Sequence, residues 1–184
     1  MTTDPVHIIH NPLRHTRFIT LSYELYQQQI TTYLIWPAIH DSPACRGVAK
    51  AHKQIVSWAK EQGLHQVTIM EDDVKFPGVN GYKWYLDNMP EDFDLYLGGI
   101  YRGEIIEGKV KDFSSLHSYT IRSTFYDKFL SVDESKHLDT GLAGLGDYHV
   151  CYPFAAIQYS GYSDVERGPT NFEGLLKNKL IYSD

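Results

Sequence analysis

Cysteine is scarce in this 184-residue chain, with only Cys45 and Cys151. Two thiols this far apart in sequence make neither a disulfide framework nor a compact cysteine zinc motif. Positive charge is short as well: 17 Lys and Arg stand against 23 acidic residues, a formal net charge of −6. Gripping nucleic acid takes clustered Lys and Arg to neutralise phosphates, so no nucleic-acid partner is expected. No apolar run approaches the roughly 20 residues of a membrane helix. The opening residues Met1-Thr2-Thr3-Asp4-Pro5 lack a basic-then-apolar leader. A cytoplasmic chain is expected, with peripheral membrane contact at most. The glycines at 98–99 and 141–146 match neither a P-loop nor a dinucleotide fingerprint, which disfavours kinase and dehydrogenase chemistry. Internal repeats, low-complexity tracts and a domain boundary are all absent from the sequence.

What remains is an ordinary globular composition, 42% hydrophobic and 22% charged. One domain over 1–184 is the simplest organisation, long enough to bury roughly 70% of the surface its unfolded form exposes. Aromatic content is high, with 14 tyrosines. Tyrosine suits sugar rings, but it serves cores and interfaces equally well. Residues 6–10 are a short apolar stretch that reads as a strand, 16–29 carry helical spacing, 30–36 form a β-rich run, and 43–62 turn helical again. A strand from 66 follows, and this β-α-β-α-β order predicts an α/β fold with a mainly parallel sheet. Further on we expect a short helix at 82–88, strands at 95–97, 118–123 and 149–153, and a loop or hairpin at 101–113. A helix is expected at 124–130, and a mobile tail from about 165.

The strand at 66 runs through Val67 and Ile69 into Glu71, Asp72 and Asp73. In open α/β sheets, ligands bind beyond the carboxyl ends of strands. Three adjacent acids repel one another, and a fold keeps them together most readily around a cation; the other reading is a solvated acidic turn. Mg²⁺ and Mn²⁺ prefer carboxylate oxygen and bridge to substrate phosphates. Side chains alternate along a strand, so Glu71 and Asp73 share one side. Arg14 and Arg17 stand three apart after the first strand, where a helix start favours anions and arginine suits phosphate; surface arginines are also common there. His52 lies on the apolar stripe of its helix, either as a core histidine or as a brace behind the acids.

Together these residues resemble glycosyltransferase family 25, the lipopolysaccharide and procollagen-type sugar transferases. The similarity runs through Ile9 to Arg17, through Gly47-Val48-Ala49-Lys50-Ala51-His52, through the Glu-Asp-Asp, through 116–121 and through Gln158 to Asp164. The resemblance implies a GT-A-like single domain moving a sugar, galactose in the family, from a UDP-sugar donor to a saccharide or glycoconjugate acceptor. It implies Mn²⁺, or Mg²⁺, on Glu71 and Asp73, with Asp72 facing the ribose or the interior. Asn11, Arg14, Arg17, His52, Gln158 and Ser163 are then donor-binding candidates. It implies inversion with Asp139 as general base and Asp164 as the next candidate. Asp139 reads equally as a helix N-cap, and a surface loop is the other reading of 158–164. Ala51 stands where the family has serine, Pro12 interrupts the opening motif, and the chain is short for the family. A non-catalytic nucleotide-sugar-binding relic and a metal nuclease, reading Asp73-Val74-Lys75 as acid-x-Lys, are the alternatives.

Overall fold

The computed structural model describes residues 4–163, 165 and 168–183. In chain order its strands and helices are β1 (Val6–His10), α1 (His15–Gln27), β2 (Tyr33–Pro37), α2 (Ala44–Glu61), β3 (Gln66–Glu71), β4 (Val74–Lys75) and α3 (Gly81–Asp87). There follow β5 (Leu95–Leu97), β6 (Lys109–Val110), β7 (Ser118–Arg122), α4 (Tyr126–Ser131), α5 (Leu138–Leu142) and β8 (Tyr148–Val150). The chain closes with β9 (Ile157–Gln158), β10 (Gly161–Ser163), β11 (Gly168–Thr170) and α6 (Phe172–Leu175). Among the described residues, no helix is long and apolar enough to cross a membrane.

Seven strands form one sheet in the order β2-β1-β3-β7-β5-β8-β6. β1 pairs in parallel with β2 and β3, and β5 with β8. β7 lies antiparallel between β3 and β5, and β6 antiparallel to β8 at the far edge. Five strands therefore point one way and two the other, the mainly parallel α/β sheet that the element order predicts. Period 2 sorts β1 between two cores. Val6 and Ile8 join Leu21 and Leu25 of α1 with Met70, while Ile9 faces Ala51, Ile55 and Ala59 of α2 with Val67 and Ile69. A strand covered on both faces reads as a near-continuous apolar run, and Val-His-Ile-Ile-His is such a run. β2 is the exposed edge, and its strand starts at Tyr33 rather than at 30, because Gln29 turns with φ 56° and Ile30 plugs the core beside α1.

The expected mobile tail is instead fastened, as far as it is described. Leu176 is buried, Phe154 exchanges backbone hydrogen bonds with Leu180 and Tyr182 at 2.9 Å each, and the Trp84 and Tyr182 rings stack at 5.0 Å. The region 101–113, expected as a loop or hairpin, carries β6 and is tied by the isolated bridges Arg102↔Ser114 and Ile106↔Lys109.

A small ribbon completes the frame. β9 returns antiparallel to β4, with Val74 opposite Gln158. Gly99 makes this return possible, since a Cβ there would sit 2.3 Å from the Ala156 carbonyl oxygen.

Candidate active site

The three acids at the end of β3 have different sets of partners. Asp72 is buried and acts as a hub. Its Oδ2 accepts from the Asn11 backbone N–H at 3.0 Å and meets His10 Nδ1 at 2.8 Å, and its Oδ1 accepts from Arg17 Nη1 at 2.9 Å. It thereby fastens the end of β1 and the start of α1 to the end of β3.

Glu71 faces the other core. Its Oε1 lies 3.1 Å from His52 Nε2, and His52 Nδ1 lies 3.0 Å from the Tyr119 hydroxyl. His52 is only 1% exposed, so it is a core histidine and a brace at once. Asp73 accepts from Arg17 Nη1 at 3.0 Å on Oδ2 and from Gln158 Nε2 at 3.1 Å on Oδ1. The same Gln158 Nε2 donates to Glu71 Oε2 at 3.3 Å. Two carboxylates thus converge on one donor, 85 and 87 residues further along the chain.

This crowding separates their protonation. Burial and the neighbouring Glu71 charge push the Asp73 carboxyl up to about 7. Burial pushes Glu71 upward too, but the His52 hydrogen bond and charge outweigh it and hold Glu71 below the usual range. Burial works against the Arg17 cation, yet Asp73 and Asp72 raise it further above its ordinary value.

Beside the acids lies a cleft of about 140 Å³ at the carboxyl ends of β1, β2 and β3. Asn11, Arg14 and Arg17 line one wall, the loop 38–41 another, and Gly47, Ala51 and His52 of α2 a third, with Glu71 and Asp72 at the floor. Gly47 lets α2 close against that loop, because a Cβ there would lie 2.1 Å from the Ile39 carbonyl oxygen. Arg14 and Arg17 each donate to the Tyr162 carbonyl oxygen at 2.9 Å, which brings β10 to the rim. Ser163 follows in β10, while Asp164 lies outside the described residues.

Asp139 belongs to the first turn of α5, whose N-cap is His137, so it is not the cap residue itself. Its Oδ2 accepts from the Ser115 N–H at 3.0 Å and its Oδ1 from the Thr140 N–H at 2.8 Å. Ser115 Oγ in turn donates to Gln158 Oε1 at 3.2 Å, so Asp139 is linked through two residues to the acids. Lys75 of the acid-x-Lys pattern lies with its Nζ 5.3 Å from the centre of the Tyr159 ring. Ser115, Tyr101 and the individual role of Tyr119 carry no local signal, since each gains its place through contacts distant along the chain. His10 could have been found, standing at a strand's carboxyl end just before Asn11.

Glu71 Oε2 and Asp73 Oδ1, aimed at one positively polarised group, form the hard-oxygen donor set that Mn²⁺ or Mg²⁺ takes. Among the described residues, no group of three or more His, Cys, Asp or Glu is arranged to hold a metal ion. Glu71 and Asp73 are the two carboxylates here that could contribute to such a site.

No family model matches the chain, and no curated protein matches it in sequence. Solved structures do. A197 from STIV superposes with a TM-score of 0.54 at 15% identity, over 91% of this chain and 93% of that one. The inositol-1-phosphate CTP transferase from T. maritima gives 0.51 at 9% identity, over 95% and 77%. A glycosyltransferase involved in glycosylation of the major capsid of PBCV-1 gives 0.49 at 11%, over 94% and 98%. At these identities the first two show that this chain shares their α/β fold.

Proposed function

We propose that this protein transfers a sugar from a nucleotide-diphosphate donor, a UDP-sugar, to a hydroxyl of a saccharide or glycoconjugate acceptor. The observation that carries the reading is the convergence of Glu71 and Asp73 on one point beside a cleft walled by Arg14 and Arg17. Parallel strand ends, paired arginines and two aimed carboxylates are the parts a diphosphate and its cation need. The resemblance to glycosyltransferase family 25 supports the same assignment.

In this reading Arg14 and Arg17 exchange the Tyr162 carbonyl for phosphate oxygens. Glu71 and Asp73 would hold Mn²⁺. When bound, the ion supplies Lewis-acid neutralisation of the leaving diphosphate. His52 and Tyr119 keep Glu71 ionised and oriented, Asp72 holds the β1 end against the acids, and Gln158 spans the two ligands. Asp139 accepts the proton of the acceptor hydroxyl as that oxygen attacks the anomeric carbon opposite the nucleotide. Asp164 is the next candidate for that role.

Titration calorimetry with UDP, with and without Mn²⁺, tests the donor half. Binding should depend on the metal in the wild type, and Asp73→Asn should remove that dependence. Equal affinity with and without metal would refute the ligand roles. For the base, Asp139→Asn should lower transfer by roughly 10²-fold or more, leaving UDP binding unchanged; near-normal transfer would leave Asp139 a structural residue of α5.

A further inference from the structure

Ser115 adopts φ 104°, in the half of conformational space that L-residues with a side chain rarely enter. It occupies the short stretch between Ser114, bridged to Arg102, and β7, alongside the acid end of β3, where His117 O accepts from Glu71 N at 2.9 Å. Residues in such conformations persist when their surroundings over-determine them, and they gather at functional sites. Here the surroundings are explicit. The unusual backbone turns the Ser115 N–H onto Asp139 Oδ2 at 3.0 Å, while its hydroxyl reaches Gln158 Oε1 at 3.2 Å and His117 Nδ1.

The donors and acceptors of this chain run in one direction. His117 is buried, and because Ser115 gives its one hydroxyl proton to Gln158, His117 Nδ1 is left as the donor to Ser115 Oγ. Ser115 O–H then donates to Gln158 Oε1, and Gln158 Nε2 donates to Glu71 and Asp73. The Gln158 backbone N–H is separately fixed by the Tyr101 hydroxyl at 2.7 Å. With the backbone anchored and the amide oxygen tethered, the amide nitrogen has one place to go.

We propose that Ser115 is a positioning residue serving both halves of the site. Its hydroxyl sets the Gln158 amide against the two carboxylates, and its backbone N–H aims Asp139. This deepens the transferase reading above and rests on it. Catalysis needs donor and base held in mutual register, and a displacement near 1 Å can lower the rate roughly 10²-fold. Ser115 is the residue that touches both.

The test uses full-length protein with Ser115→Ala and Ser115→Gly, each checked by urea unfolding. Both variants lose the hydroxyl, while only glycine also frees the backbone from its strained φ. In ¹⁵N spectra, both should speed exchange of the Gln158 side-chain amide protons about fivefold, the effect of losing one hydrogen bond of ordinary net strength. With UDP-sugar and Mn²⁺, Ser115→Ala should raise the donor KM by about the same factor with kcat nearly unchanged. Ser115→Gly should raise KM equally and also lower kcat by at least roughly tenfold, because the N–H is no longer held at Asp139. An unchanged Gln158 amide and an unchanged KM in Ser115→Ala would overturn the proposal. So would a glycine variant with wild-type kcat. A wild type without transferase activity would instead sink the transferase reading, and the Gln158 spectra would still decide whether the tether exists.

Discussion

Asp72 and Asp73 are adjacent, both aspartate and both buried, yet replacing each by asparagine should move stability in opposite directions. Asp72 accepts from three donors: His10 Nδ1, Asn11 N and Arg17 Nη1. Asparagine offers one acceptor oxygen and an NH₂ group, so either Arg17 or the His10–Asn11 pair then faces a donor. Leaving such groups unmatched costs about 2–3 kcal/mol. Little is regained from relieved repulsion, because Asp72 is the weakest of the influences acting on Asp73. For a chain of this size that is a fall in Tm of about 4–12 °C.

Asp73 behaves differently because its carboxyl is pushed from 3.8 up to about 7. Between those values the folded state binds more protons than the unfolded state, so stability is fully present below pH 4 and is lost as pH rises through 7. Three units amount to about 4 kcal/mol carried by the ionised side chain at pH 8. Asparagine removes that burden and loses the Arg17 contact, worth about 1.5–3 kcal/mol as a hydrogen bond to a charged group. The net gain at pH 8 is about 1–2.5 kcal/mol, and it vanishes or reverses at pH 5. Urea unfolding at both pH values checks this, with EDTA present so that no bound cation offsets the repulsion. If both variants shift the pH 8 midpoint in the same direction, the division of labour between the two acids is wrong.

Two further outcomes follow from the frame. His7 is buried, its Nδ1 accepts from the donor-only Trp36 indole at 2.9 Å, and burial lowers its pKa to about 4. The unfolded chain binds the proton more readily between pH 4 and 6.5, so stability is fully present above 6.5 and falls by about 3 kcal/mol on acidification through 4; His7→Asn keeps an acceptor and should flatten that part of the unfolding profile. Gly99→Ala should destabilise by about 1–3 kcal/mol and weaken UDP binding, because its Cβ would displace Ala156, two residues before Gln158; unaltered binding would separate this close approach from the site.

Much of the first half of the fold was legible because its chemistry is local. Val67 and Ile69 alternate into the core, Val48 to Ala59 keeps helical spacing, and the acids follow at the strand's end, so periodicity alone places Glu71 to Asp73 at a sheet edge. The second half depends on pairing that no local pattern encodes. β7 has the same kind of sequence as a parallel strand, but it runs backwards between β3 and β5. The glycines at 98–99 showed what they were not; their use, at Gly99, is a close passage of two backbones. Arg17 looked free to meet an anion, and in the structure it already spans Asp72 and Asp73. Ser115 was invisible for a different reason: nothing in the sequence announces a serine with positive φ.

The reversed strand has a consequence for how the chain is made. β3 gains β1 early, its partner being only about sixty residues behind, as in the register Val6↔Thr68. Its other edge waits for β7, whose pairing ends at Met70↔Ser118. While a ribosome is adding the residues between, β3 presents an open row of amides and carbonyls, with three carboxylates at its tip. Like charge at an exposed edge discourages pairing with another chain. The acids held by Arg17 and His52 in the finished protein therefore also guard the half-built sheet, until β7 covers the edge and Gln158, emerging later still, comes to rest between Glu71 and Asp73.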